Sequence, residues 1–110
     1  MEMHLVMRNL SVFRLPEWAD PVWHLFVVRC PDRDTVQGNL REHGIETLIH
    51  YPIPPQLQSA YAELGYKRGY FPIAERIHDE VISLPIHHHM PNVDIDALVS
   101  AVKQITKKRA

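Results

Sequence analysis

Cysteine and glycine are nearly missing from this chain. Among 110 residues there is one cysteine, Cys30, and there are four glycines. A single thiol closes no internal disulfide. With no CxxC partner and no nucleophile motif around it, Cys30 reads as a structural or incidental thiol of a reducing compartment. Neither G-x-G-x-x-G nor G-x-x-x-x-G-K-[ST] occurs, so a glycine-rich phosphate cradle is excluded. Ser83 in "ISLP" has no G-x-S-x-G elbow around it, which removes the hydrolase reading. No apolar run approaches the ~20 residues of a membrane span. The opening "MEMHLVMRNL" lacks the basic flank and apolar stretch of a signal peptide. The formal net charge of -1 gives no overall pull toward nucleic acid or an anionic membrane. The late basic residues Lys103, Lys107, Lys108 and Arg109 complement a helix C-terminus. A soluble cytoplasmic domain with no nucleic-acid or membrane partner is the expectation. Residues 1–110 suffice for one domain burying roughly 60–70% of its unfolded surface.

Proline, by contrast, is plentiful, and it is clustered. "IHYPIPPQLQSAY", Ile49 to Tyr61, puts three prolines into four positions directly after a histidine and a tyrosine. Prolines reduce the entropy lost when a loop is fixed. The passage is either a plain connector or a loop that holds His50 and Tyr51 against something outside the domain.

The surrounding pattern predicts alternating strands and helices. Residues 1–20 read as an irregular lead-in, with "LSVFRLP" a short extended segment closed by Pro16. "VWHLFVVR", Val22–Arg29, is the strongest strand signal; both of its faces are mostly apolar, which predicts a central strand covered on both sides. His24 within it reads as a buried, hydrogen-bonded histidine. A helix follows, with Asp32 as its cap, Val36 and Leu40 on one face and Gly44 as its stop. "IETLIH" reads as a second strand, Ile45–His50. "QLQSAYAEL" makes about two helical turns before Gly65, and "GYKRGY" is a loop. Pro72 opens another helix, with Ile73, Ile77 and Val81 as its apolar stripe. "ISLPI" is extended. Asn92 or Asp94 caps a last helix whose Ile95, Leu98, Val99, Val102 and Ile105 share a face. The fold class is α/β (α+β): about three strands, mostly antiparallel, packed against helices.

Eight histidines invite a metal reading, above all His87–His89. Adjacent residues of an extended chain point to opposite sides, and no cysteine pair or HExxH accompanies the run. It reads as a solvated loop with no metal site. His43 and His78 lie beside charged neighbours on helices and read as exposed.

Four passages, "PVWHLFVVR", "DRDTVQGNLREHGIETLIHYPIPPQLQSAY", "LGYKRGYFPIAERIHDEVISLPI" and "DIDALVSAVK", in this order and spacing, resemble the carboxy-terminal segment of the DegT/StrS family. These are pyridoxal-phosphate-dependent aminotransferases that act on nucleotide-linked keto-deoxysugars, with the fold of type I aspartate aminotransferase. The resemblance covers about residues 20 to 106, and the combination of passages is far more specific than any one of them. It implies that residues 21–110 form the small domain, which closes over the active site, and that His50 lies near the substrate pocket, with Tyr51 beside it as a further substrate-binding residue. For a full-length relative it also implies transfer of an amino group from glutamate to the sugar, for surface polysaccharide or glycoside biosynthesis.

The chemistry of that cofactor needs a lysine nucleophile, which in the family lies upstream of this segment. None of Lys67, Lys103, Lys107 or Lys108 matches the family's cofactor-lysine motif. The expectation is therefore a chain with no catalytic residue and no cofactor of its own, inactive alone. The large pyridoxal-phosphate-binding domain would be absent, and the surface it would cover would be left to that domain or to self-association. "LPIHHHMPN" departs from the family pattern, and residues 1–10 resemble nothing in it, as either a gene truncation or an artificially trimmed start would leave them. The alternative is a stand-alone, non-catalytic binding or interaction module derived from the same domain.

Overall fold

The computed structural model describes residues 10–107. The basic side chains of Lys107, Lys108 and Arg109, and residues 1–9, lie outside the described part. In chain order the elements are β1 (Ser11–Val12), β2 (Phe26–Arg29), α1 (Arg33–Glu42), two 3-10 turns (Pro55–Leu57 and Ser59–Leu64), α2 (Pro72–Glu80), β3 (Val81–Leu84) and α3 (Asn92–Lys107). The three strands form one antiparallel sheet in the order β1-β2-β3. No described helix is long and apolar enough to cross a membrane.

Side chains alternate across a strand, so the register sorts the sheet into two faces. Phe26 and Val28 lie opposite Leu84 and Ile82. These four join Leu10, Cys30, Val36 and Leu40 of α1, and Leu98, Ala101, Val102 and Ile105 of α3, in one buried cluster. Each fully buried Leu, Ile or Val side chain in it contributes about 1.5–3 kcal/mol. Val27 and Arg29, opposite Ser83 and Val81, point to the other face, away from that cluster.

The expected α/β class and three-stranded antiparallel sheet hold, but the membership of the sheet differs. Of Val22–Arg29 only Phe26–Arg29 is strand. Val22 is 98% exposed, and Trp23 turns instead onto Phe26, ring centroids 5.0 Å apart. His24 is exposed rather than buried. Although β2 is central, its Val27 and Arg29 are half-buried; the strand buried along its whole length is β3. Ile45–His50 is no strand. It touches the sheet through one antiparallel bridge, Leu48 to Ser83, and the third strand is Ser11–Val12 from the lead-in.

Local signals account for the helix ends. Gly44, with φ 78°, closes α1: its amide donates to Arg41 O and the Ile45 amide to Leu40 O, the paired bonds of a Schellman end. Asp32 sits at the cap position without a side-chain cap bond. Pro91, rather than Asn92 or Asp94, stands before α3, and its carbonyl accepts the amides of Asp94 and Ile95. "SAYAEL" is a 3-10 turn ended by Gly65 at φ 74°. The expected stripe on α2 is buried only toward its C-terminal end: Val81 is buried and Ile77 half-buried, while Ile73 is 77% exposed.

Helix α2 runs straight into β3, and its last residue ties three elements together. Glu80 O accepts the Cys30 amide at 3.0 Å. Its Oε2 accepts from Arg29 Nη2 at 2.7 Å, and its Oε1 from Arg76 Nε at 3.0 Å. Buried Arg33 of α1 donates to the carbonyls of His78 and Val81 on either side. The hydrogen bond from Arg76, together with the bonds and charge of Arg29, holds the Glu80 carboxyl below its usual value of 4.5, against the burial that would raise it. Because the folded-state pKa lies below the unfolded one, this contribution is complete above 4.5 and is lost as pH falls through the folded value. Urea unfolding at stepped pH tests this. The stability difference between the unmodified chain and Glu80→Gln should be constant from neutral pH down to the ordinary carboxylate range and shrink below it. Glu80→Gln should cost roughly 1–3 kcal/mol at neutral pH and flatten the acid limb.

Candidate functional site

On the face of the sheet away from α1 and α3, the polar side chain of β3 is Ser83, 5% exposed. Its main chain forms the bridge to Leu48, with the Leu48 amide donating to Ser83 O at 3.2 Å and the Ser83 amide donating to Leu48 O at 2.7 Å. Side chains alternate outward from that bridge, so two residues later His50 comes back over the same strand. Its Nδ1 lies 2.8 Å from Ser83 Oγ, one hydrogen shared between them. The ring is half-buried, and among the described residues Nε2 has no hydrogen-bond partner. His50 thus stands where the chain leaves the sheet and not beneath α3.

Tyr51 follows across a cis peptide, its ring edge-on to His50 at 5.4 Å. The phenol is exposed, and its carbonyl is hydrogen-bonded to Nδ1 of His78 on α2. The sequence reads His78 as simply exposed; it in fact ties α2 to the His50–Tyr51 segment. The anchor of the proline loop also differs from the apparent apolar pattern. Ile53 is 51% exposed, while Pro54 is fully buried. A proline ring brings no amide hydrogen that would need a partner in that position.

Beyond Pro54 the chain opens a cleft of ≈ 320 Å³, lined by Pro55, Gln56, Tyr61, Leu64, Tyr66, Phe71 and Ala74. Ala74 and His78 are one turn apart on α2, so the cleft and the Tyr51 anchor lie along one face of that helix. The Tyr66 ring packs edge-on to Tyr70 at 6.0 Å and to Phe71 at 5.2 Å. Glu75 holds this loop. Buried at 5% exposure, its carboxylate accepts the amides of Gly69, at 2.8 and 3.0 Å, and Phe71, at 3.0 Å, with Arg68 at 4.0 Å. Outside this fixed turn the arm is open: every residue from Gln58 to Ile73 is exposed, including Tyr61, Leu64, Tyr66, Tyr70, Phe71 and Ile73.

The sequence thus brings His50 and Tyr51 forward. It gives no direct sign of Ser83, His78 or Glu75. Ser83 was visible only as one small polar residue in an otherwise apolar strand, and Glu75 only as an acid in the first turn of a helix. The other candidates stay apart. His87–His89 lie in an exposed turn, with the rings of His88 and His89 3.8 Å apart. Among the described residues no three His, Cys, Asp or Glu side chains converge as metal ligands. Cys30 is buried beside Glu80 O.

Pyridoxal phosphate, the cofactor implied by the sequence resemblance, does not fit the described residues. Lys67 and Lys103 are exposed, and the cleft is lined by no lysine, arginine or acid that would hold its aldehyde carbon, phosphate or ring nitrogen.

The family model for the DegT/DnrJ/EryC1/StrS aminotransferase family matches residues 5–103. The chain is similar to the erythromycin biosynthesis sensory transduction protein EryC1 of Saccharopolyspora erythraea, 45% identical over 100 residues, covering 88% of this chain and 27% of that protein. It is similar to the dTDP-3-amino-3,6-dideoxy-alpha-D-galactopyranose transaminase of Aneurinibacillus thermoaerophilus, 51% identical over 83 residues, covering 76% of this chain and 22% of that one. Its fold matches the crystal structure of DesV from S. venezuelae with a TM-score of 0.87 at 35% identity, over 94% of this chain and 28% of DesV. The chain spans about a quarter of the length of the curated relatives it matches.

The loop geometry predicts a local effect for Glu75→Ala. Two charge-assisted bonds worth about 1.5–3 kcal/mol each disappear, so amide exchange at Gly69 and Phe71 should accelerate roughly tenfold to a hundredfold. Exchange at Val28 and Ile82 should not change. Equal acceleration at all four would mean that Glu75 supports the whole fold rather than the loop.

Proposed function

This chain belongs to the DegT/DnrJ/EryC1/StrS aminotransferase family, and on that footing we propose that it is the substrate-facing small domain of a cytoplasmic nucleotide-sugar aminotransferase. In this reading His50 and Tyr51 form one wall of a cleft whose other wall, with the cofactor and its lysine, belongs to the remainder of the family's fold. Pyridoxal phosphate bound there supplies the electron sink for moving an amino group from glutamate to a keto group of a nucleotide-linked deoxysugar. The residues of this chain bind and orient; alone it neither holds the cofactor productively nor turns over.

The observation that carries the reading is His50 itself. Its ring is pinned by one nitrogen to a buried strand residue and keeps the other nitrogen unpartnered at a half-buried surface. A histidine serving packing alone would have no reason to leave that nitrogen open at the exit of the sheet. The exposed aromatic arm from Gln58 to Ile73 supports the second half of the proposal. Six large apolar or aromatic side chains exposed within sixteen residues fit a docking face for the cofactor-binding domain or for a second copy of the chain. Two of the relatives named as transaminases act, by their names, on dTDP-linked aminosugars, which makes a nucleotide sugar the expected substrate class.

The test is a chimera in which this chain replaces the matched segment of the S. venezuelae dTDP-3-amino-3,4,6-trideoxy-alpha-D-glucose transaminase, to which it is 42% identical over 86 residues. His50→Ala in the chimera should lower kcat/KM for the nucleotide sugar roughly tenfold to a hundredfold, the loss of one hydrogen bond. Thermal unfolding should barely change. If the substitution unfolds the domain while the surviving enzyme uses its substrate normally, His50 is a structural histidine and the reading fails.

A further inference from the structure

We propose that Ser83 fixes the protonation of His50, so that the imidazole presents an Nε2–H donor to its ligand. This rests on the reading of His50 as a substrate-facing residue, and it assigns that residue one role rather than another.

The argument is a count of hydrogens. Ser83 is buried, and its main-chain amide and carbonyl are both engaged by Leu48. Its hydroxyl carries one hydrogen, which requires an acceptor when buried. Among the described residues the one hydrogen-bond partner of that hydroxyl is His50 Nδ1, at 2.8 Å. If Nδ1 carried a hydrogen and donated it to Ser83 Oγ, the serine hydrogen would be left buried without an acceptor. If Ser83 donates to Nδ1, the buried serine hydrogen is satisfied and the hydrogen of the neutral ring sits on Nε2. That nitrogen is the one without a protein partner. It cannot accept a proton in this form, so His50 is a donor to an acceptor oxygen (a sugar carbonyl or hydroxyl oxygen, or a phosphate oxygen) and not a general base. Ser83 touches no ligand; it is a positioning residue, acting through the imidazole.

Two further features hold the geometry in place. The Leu48–Ser83 bridge sets the register, so that Oγ and Nδ1 meet two residues further on. His78 holds the Tyr51 carbonyl on the other side of His50 and limits rotation of the segment.

The measurement is long-range proton–nitrogen correlation of the His50 imidazole in the 110-residue chain, at about pH 8, where an ordinary imidazole is neutral. The expected pattern is a protonated Nε2 and an unprotonated Nδ1, in an excess of about tenfold or more. Ser83→Ala should reduce that excess several-fold with the amide fingerprint of β2 and α3 retained, and Ser83→Thr, which keeps the hydroxyl, should restore it. A hydrogen found on Nδ1 in the unmodified chain overturns the proposal without any variant having to fold. So does an unchanged tautomer ratio in Ser83→Ala. Neither outcome bears on whether His50→Ala impairs the chimera, so the failure of this inference and the failure of the functional reading are separately visible.

Discussion

The pairing of β3 on both of its edges is the constraint on which the rest depends. One edge is hydrogen-bonded to β2 over four residue pairs, and the other is touched at a single point by Leu48. One face of the strand supplies Ile82 and Leu84 to the core shared with α1 and α3. The other face carries Ser83, and a buried hydroxyl must be satisfied. The chain meets that requirement by bringing His50 back over the strand. The side chain that looks functional is therefore held by the same strand that organises the core, and this ties its position to a rigid element rather than to a loop. At the head of β3, Glu80 and Arg33 take up the polar groups of the helix-to-strand junction, so the strand cannot slide without breaking the charged contact to Arg29 and the bonds from Arg33.

Much of this was legible in the sequence. The apolar spacing of Leu98, Val102 and Ile105, Gly44 as a helix stop, Pro72 as a first helical residue and the β-branched run ending at Arg29 all report local physics, and the structure follows them. The differences arise where tertiary pairing overrides local pattern. "IETLIH" alternates like a strand, yet only Leu48 finds a free edge to pair with. Ser11–Val12 gives almost no signal but lies against the open edge of β2 and completes the sheet. Val22–Leu25 has strand composition but, among the described residues, no strand beside it. His24 is consequently exposed, and Trp23 folds back onto Phe26.

The site divides along the same line. His50 and Tyr51 stand out in sequence because prolines follow them and because the family resemblance runs through them. Ser83, His78 and Glu75 act through contacts 33, 27 and up to 7 residues away in the chain, and nothing in their neighbours announces those partners. Ile53 and Pro54 illustrate the limit of reading polarity alone. The apolar isoleucine is exposed, and the proline beside it is buried.

The central claim is that this chain contributes a substrate-facing wall and a docking surface to an enzyme whose cofactor machinery lies in the rest of the family's fold. The most direct test is reconstitution in trans. The remainder of the S. venezuelae transaminase, without its matched segment, is mixed with this chain, pyridoxal phosphate, glutamate and the nucleotide-linked keto sugar. The account predicts aminosugar formation that requires both polypeptides and saturates as this chain is added. Turnover by this chain alone, with a reducible cofactor adduct at one of its own lysines, would contradict it.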